Sequence, residues 1–170
     1  MADLLFSWQD LESDIIADKI GYLHAQKAPF STLKVERSPD YIWLVRLRTE
    51  RMWLMGKLKV TDKKPGNLPK PPKKHFIFYD PASSYFFEDP LAIQSVTEDA
   101  LNSACRKMRA SNMQGAGSLN VFEEPHKRSV ELSTSSATMI TFDEFAKNLK
   151  AGELPHPSYK DLLYRKNEKR

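Results

Sequence analysis

The sequence contains a single cysteine, Cys105, among 170 residues. One cysteine cannot form an intramolecular disulfide, and it excludes a zinc site built from several cysteines. The four histidines are isolated from one another, and none has the spacing of a metal-ligand pair with another. We therefore expect neither a metal ion nor a cofactor.

Long apolar runs are also missing. No stretch approaches the length of about 20 residues that a membrane-spanning helix needs, and residues 1–6 carry no basic start followed by a long apolar run. The sequence therefore predicts a cytoplasmic protein with no membrane span and no secretory signal. The pair Gly115-x-Gly117 lacks the other residues of a phosphate-binding loop, so it indicates no nucleotide site.

The composition is that of a folded protein with a small excess of positive charge. Hydrophobic residues make up 41% of the chain and charged residues 28%, which supports one core and argues against wholesale disorder. The length predicts a single domain, which we assign to residues 1–154, followed by a basic C-terminal tail at 155–170. The formal net charge of +4 permits attraction to phosphate without requiring it.

The most informative segment is a predicted β-hairpin between residues 39 and 60. Its first strand reads Asp-Tyr-Ile-Trp-Leu-Val and its second reads Trp-Leu-Met-Gly-Lys-Leu-Lys-Val. Period-two alternation in the second strand predicts a dry face and a face that carries Trp53 with Lys57 and Lys59. The first strand begins with apolar residues on both faces, which predicts a central position in the sheet.

The rest of the pattern predicts an α+β protein. Apolar residues at helical spacing predict a helix over residues 10–23, and capping boxes that begin at Ser95 and Thr141 predict two more. A segment rich in lysine and proline at 61–74 predicts an extended, exposed loop. Short apolar runs predict strands at 4–8, 75–79, 119–122 and 129–132.

The hairpin resembles one found in the PUA-like superfamily, and most closely in its EVE and ASCH branches. The features that carry the resemblance are the acid that opens the first strand, Asp40, and the apolar-Gly-apolar pattern of the second strand at 54–58. The resemblance covers residues 10–60 and extends loosely over the rest. It implies a small, strongly bent mixed β-barrel flanked by helices. It also implies binding of RNA, or of DNA with a modified base that some members flip into an aromatic pocket.

We therefore predict a nucleic-acid-binding module whose aromatic recess and cationic hairpin contact DNA or RNA. Stacking on an aromatic ring contributes about 1–3 kcal/mol per base, and cationic contacts to phosphates give binding that weakens as salt increases. The alternative is a purely structural role, in which the tryptophans belong to the core and the lysines form a solvated face. The predicted contact residues are Tyr41, Trp43, Arg46, Arg48, Arg51, Trp53, Lys57, Lys59, Lys63, Lys64, Lys73 and Lys74.

Two other functions remain open. Asp40, with Asp62 and Lys64 about twenty residues later, has the spacing of a Mg²⁺-dependent nuclease of the PD-(D/E)xK type. In such a site two carboxylates hold the ion and the lysine steadies the attacking water. The other possibility is a protein-interaction module without a nucleic-acid role, in which residues 159–164 dock on a partner chain.

Overall fold

The computed structural model describes residues 3–8, 10–25, 40–48, 51–62, 75–92, 119–122 and 124–163. These residues form a mixed α+β structure with one eight-stranded sheet and four α-helices. The strands are β1 (Asp3–Phe6), β2 (Tyr22–Ala25), β3 (Tyr41–Arg48), β4 (Arg51–Asp62), β5 (His75–Tyr79), β6 (Tyr85–Ala92), β7 (Leu119–Phe122) and β8 (Met139–Thr141). The helices are α1 (Leu11–Ile16), α2 (Glu124–Thr134), α3 (Phe142–Lys150) and α4 (Tyr159–Leu163).

The sheet is built around the predicted hairpin of β3 and β4, which is confirmed. The main strand order is β2-β5-β4-β3-β1-β7, and β6 pairs with both β4 and β8. β3 lies between β4 and β1, which confirms its central position, and β1 runs parallel to it. β4 is 12 residues long and pairs with β6 along its first half and with β5 at its end. Among the described strands no pairing joins the ends of this path, so they do not form a closed barrel.

A β-bulge interrupts the ladder between β3 and β4. Leu44 lies opposite Gly56, whereas the next residue, Val45, lies opposite Leu54. Met55 is therefore an extra residue without a partner on β3. A bulge of this kind reverses the side-chain alternation beyond it, because one strand has advanced by one residue more than the other.

The bulge overturns the predicted distribution of side chains on β4. Lys57 and Lys59 lie on the same face as Leu54, and Trp53 packs on the opposite face with Leu58. The prediction that Trp53 shares a face with the two lysines is therefore wrong. Simple alternation failed because it assumes a ladder in which every residue has one partner.

The sheet separates two apolar clusters. The larger cluster packs α1, α3 and α4 against one face, with the rings of Phe86 and Phe145 stacked at a centroid distance of 3.8 Å. The smaller cluster lies on the other face under α2. It consists of Leu5, Trp43, Val45, Met52, Leu54, Phe87 and Val130.

Several predicted elements are confirmed and others are wrong. The strands at 75–79 and 119–122 are present, and the Thr141 hydroxyl accepts a hydrogen bond from the Glu144 N–H at the start of α3. The helix predicted over 10–23 ends at Ile16, because Asp18 and Gly21 adopt positive φ angles of 61° and 96° and the chain then enters β2.

The predicted strand at 129–132 is also wrong, since these residues belong to α2. Pro125 lies in the first turn of that helix, where its missing N–H has no intrahelical partner to lose. The helix predicted from Ser95, and residues 63–74 of the predicted loop, lie outside the described residues. No helix in the described part of the chain has the length and apolar character needed to cross a membrane.

The segment predicted as a C-terminal tail contains α4, which packs into the larger cluster. Tyr159, Leu162 and Leu163 are buried there. The Tyr159 hydroxyl lies within hydrogen-bond distance of two carbonyl oxygens, those of Met55 and Phe87. Residues 159–163 are therefore part of the folded unit.

Candidate nucleic-acid interface

The register of β3 against β4 places two of the predicted aromatic residues beside two of the predicted lysines. Tyr41 lies opposite Lys59, and Trp43 lies opposite Lys57. Directly opposed residues of an antiparallel pair project from the same face of the sheet. The bulge at Met55 is what turns both lysines to this face.

The Tyr41 ring is the point at which two ammonium groups converge. The Nζ atom of Lys57 lies 4.1 Å from the centroid of the Tyr41 ring and 4.7 Å from that of Trp43. The Nζ atom of Lys127, which α2 contributes, lies 5.9 Å from the Tyr41 centroid. Such cation–π contacts contribute about 0.5–1 kcal/mol when exposed and more when desolvated.

A buried carboxylate lies beneath this arrangement. The Trp43 Nε1–H donates to Oδ2 of Asp3 at 2.7 Å, and the Nζ of Lys127 lies 3.6 Å from Oδ1 of the same carboxyl. Asp3 is 0% exposed. Burial raises the pKa of Asp3, and the hydrogen bond from Trp43 with the charges of Lys127 and Lys57 offsets part of that increase.

A second carboxylate, that of Glu131 on α2, contacts Lys57. The Nζ of Lys57 lies 3.3 Å from Oε1 of Glu131. Lys127 and Glu131 are four residues apart and flank Val130, which is buried in the smaller cluster. Residues spaced by three and four share one face of a helix, so all three side chains meet the sheet.

The predicted aromatic residues differ in their accessibility. Trp43 is only 1% exposed, so its ring is sealed and offers no wall for a base in this structure. Trp53 is half-buried on the opposite face. Tyr41 is half-buried on the face with the lysines, and Tyr85, which lies opposite Lys57 on β6, is 40% exposed there.

The predicted cations also separate. Lys59 is exposed and Lys57 is half-buried, but Arg46 is 5% exposed and donates to the carbonyl oxygen of Trp8. This placement removes Arg46 from the cationic surface, because its position on β3 turns it toward the larger cluster. The side chains of Arg48, Arg51, Lys63, Lys64, Lys73 and Lys74 lie outside the described residues.

The structure describes only part of the predicted nuclease site. The Asp40 carbonyl accepts a hydrogen bond from the Val60 N–H at 2.9 Å, so the backbones of Asp40 and Asp62 lie at the same end of the hairpin. The side chain of Asp62 and all of Lys64 lie outside the described residues. Where the structure is described, no three His, Cys, Asp or Glu residues are grouped to hold a metal ion.

The protein-docking prediction meets a different obstacle. The apolar side chains of α4 are buried in this chain, and Lys160 and Asp161 are its exposed residues. Docking through this helix would therefore use charged rather than apolar contacts. The nuclease and docking functions both stay predictions.

Sequence reasoning missed four residues of the interface: Asp3, Tyr85, Lys127 and Glu131. Tyr85 could have been found, because it belongs to the short aromatic run Tyr85-Phe86-Phe87. Asp3 depends on the register of a parallel strand some forty residues distant in sequence, about which local patterns say nothing.

Neither protein-family models nor curated proteins nor solved structures give a match to this chain. The PUA-like resemblance therefore stays a prediction.

Proposed function

We propose that this chain binds nucleic acid through the face of the sheet that carries Tyr41, Lys57, Lys59 and Tyr85, bordered by Lys127 of α2. We call these five residues the Tyr41 surface. The observation that carries the proposal is the convergence of the Lys57 and Lys127 ammonium groups at the Tyr41 ring. Cations beside an accessible aromatic ring provide the two contacts that a single strand uses, one for its phosphates and one for its bases.

The exposed lysine and the two tyrosines of this surface have different tasks. Lys59 is exposed and contacts a phosphate without first breaking an ion pair within the described residues. Tyr41 and Tyr85 present flat rings on which bases of any type can stack, which contributes about 1–3 kcal/mol per base. Trp43 contacts no base. Instead, its hydrogen bond to Asp3 holds the Trp43 ring in place, and the Lys57 ammonium group lies over that ring.

The PUA-like barrel and the recognition of a modified or flipped base belong to the same proposal. The strong bend that such a barrel needs is supported by β4, which pairs with β3 along one edge and with β6 and then β5 along the other. Bulges increase the local twist of a strand and are a common means of bending a sheet. The bulge at Met55 lies within the part of β4 that pairs with β6, and β4 changes partner to β5 further along, between Lys57 and Val60.

The test is a charge removal on the Tyr41 surface. Lys59→Gln should weaken binding of a fluorescently labelled single-stranded oligonucleotide by up to about fivefold, because an exposed ion pair contributes up to about 1 kcal/mol. It should also reduce the slope of log affinity against log salt by about 0.7, the value for one phosphate contact on a single strand. Fluorescence anisotropy at several salt concentrations measures both quantities.

A matched control is Lys147→Gln. Lys147 is an exposed lysine of α3, which packs on the opposite face of the sheet, so its loss changes the net charge by the same amount. The proposal requires that Lys147→Gln leave the slope unchanged. Equal effects of the two variants would mean that affinity follows net charge alone, and the assigned surface would be wrong.

A further inference from the structure

Lys57 is held between two different kinds of contact. On one side its ammonium group lies over the rings of Tyr41 and Trp43, and on the other it faces the carboxylate of Glu131. The side chains of Lys57 and Glu131 are 24% and 42% exposed, so this ion pair lies at the solvent boundary. The carboxylate therefore occupies the accessible side of the lysine, where an incoming anion would approach.

The two carboxylates near these lysines are not equivalent. Asp3 is fully buried, bonded to Trp43 and close to Lys127, so it stays in place whether or not a ligand is present. The Glu131 side chain is 42% exposed, and within the described part of the chain its carboxylate forms one ion pair, with Lys57. Of the two acids, Glu131 is the one that a competing anion can displace.

The position of Glu131 is set by the packing of α2 and not by the ion pair alone. Val130 is buried among strand residues in the smaller cluster and Thr134, one turn later, is buried too, so the inward side of the helix is fixed. Glu131 lies between them in sequence and on the same side. The carboxylate is therefore presented to Lys57 in the unliganded fold without needing the salt bridge to hold it there.

We propose that Glu131 is an internal competitor that occupies the position of a nucleic-acid phosphate on Lys57. This inference rests on the proposed function and adds a regulatory residue to the same surface. Carboxylate and phosphate oxygens both accept charge-assisted hydrogen bonds from an ammonium group, so either can hold Lys57 but not both from the same side. A bound strand displaces Glu131, and affinity is lowered by the strength of the contact that is lost and by repulsion from the remaining carboxylate.

Glu131→Gln tests the competition directly. The variant keeps the shape of the side chain and removes its charge, and it should tighten binding of a labelled single-stranded oligonucleotide by about two- to fivefold, the range of an exposed ion pair. Glu153→Gln is the matched control, because Glu153 is an exposed acid beyond α3 and its removal changes the net charge equally. The control should change affinity by clearly less.

A second comparison separates competition from general repulsion. In a Lys57→Gln background the ammonium group is absent, so Glu131→Gln should have no more effect than Glu153→Gln. If the wild-type chain binds but Glu131→Gln and Glu153→Gln are indistinguishable, the competition is refuted while the binding surface stands. A persistent effect of Glu131→Gln in the Lys57→Gln background would also refute it. If no variant binds any oligonucleotide, the proposed function and this inference fail together.

Discussion

Asp3 shows how a single buried residue organises the Tyr41 surface. Its carboxyl accepts from Trp43 and attracts Lys127, so β1, β3 and α2 are joined at one point. An ionised carboxyl without water is costly unless it is paired. Two groups stabilise the Asp3 carboxyl: Trp43, whose ring also contacts Lys57, and Lys127, which is itself a cation of the surface.

This arrangement predicts a pH dependence of stability. Burial raises the pKa of Asp3 in the folded chain above its value in the unfolded chain, so folding favours the protonated form. The stabilising contribution of that form is complete below the unfolded pKa and is lost as pH rises through the folded pKa. Asp3→Asn keeps an oxygen acceptor for Trp43 but cannot ionise.

Urea unfolding of wild type and Asp3→Asn over a series of pH values measures this effect. The free energy of unfolding of wild type relative to Asp3→Asn should be highest at acidic pH, should fall as pH rises through the folded pKa of Asp3, and should then level off. A difference that stays constant would show that the favourable contacts of the ionised carboxyl balance its burial, and a difference that grows with pH would show that they outweigh it.

Residue identity alone predicted part of the site. Tyr41, Lys57 and Lys59 were predicted from an aromatic strand next to a strand with alternating lysines, and the structure does place them on one face. Trp43 and Arg46 were assigned to the surface, but both are buried. The type of a residue shows whether it can stack or carry charge. The exposure of its side chain depends on which helix covers the strand.

At the scale of elements, β4 does most to shape the surface. Its bulge at Met55 turns Lys57 and Lys59 to the side of Tyr41. The residue after the bulge, Gly56, pairs with Phe86 of β6. The Tyr159 hydroxyl reaches the carbonyl of Met55, so α4 provides a hydrogen-bond donor at the bulge. Buried carbonyl groups outside a regular ladder need such a partner.

Gly56 allows the close approach of β4 and β6. A Cβ atom at this position would lie 2.4 Å from the Tyr85 carbonyl oxygen and 3.2 Å from the Phe86 Cα atom. Backbone atoms cannot rotate out of the way, so Gly56→Ala should lower the free energy of unfolding by about 1–3 kcal/mol through overpacking. Chemical unfolding measures the loss, and amide hydrogen exchange should show faster opening of β6.

The matched control is Gly152→Ala. Gly152 has open space around it but a φ of 76°, so alanine there should cost only about 1–2 kcal/mol of backbone strain. Its effect should not extend to hydrogen exchange in β6. Normal β6 protection in Gly56→Ala would contradict the close approach between these strands.

The helix α2 was predicted as a strand for a specific physical reason. Within 129–132 apolar and polar residues alternate, which imitates a strand, and the sheet-facing side of the helix mixes one apolar residue, Val130, with polar ones. A helix whose inner side forms ion pairs has only a weak apolar stripe. The ion pairs that bring α2 to the proposed surface are therefore also the reason that the helix was not predicted.

At the scale of the whole molecule, the sheet divides two environments. The larger cluster packs three helices against one face of the sheet, and the buried polar residues Asp14 and Arg46 beside it are hydrogen-bonded to Trp8. The smaller cluster is covered by α2 and ends in the charged groups around Tyr41. The proposed binding surface therefore lies at the border of the smaller cluster, on the face of the sheet that α2 covers.

Sequence patterns predicted the α+β class and the central hairpin, because both depend on neighbours in the chain. They could not give the parallel pairing of β1 with β3 or the joining of β6 to β4, since such pairings depend on long-range register. The resemblance to PUA-like proteins supplied the barrel, and the described strands do not close. The site needed this long-range geometry, because its residues come from four strands and a helix.

The central claim is that the Tyr41 surface binds nucleic acid through its cations. The most direct measurement is the affinity of the wild-type chain for a labelled single-stranded oligonucleotide across a range of salt concentrations. Contacts from Lys57 and Lys59 alone predict that log affinity falls linearly with log salt, with a slope of about −1.4 or steeper at about −0.7 per phosphate. Binding that does not change with salt, or no binding at low salt, would contradict the account.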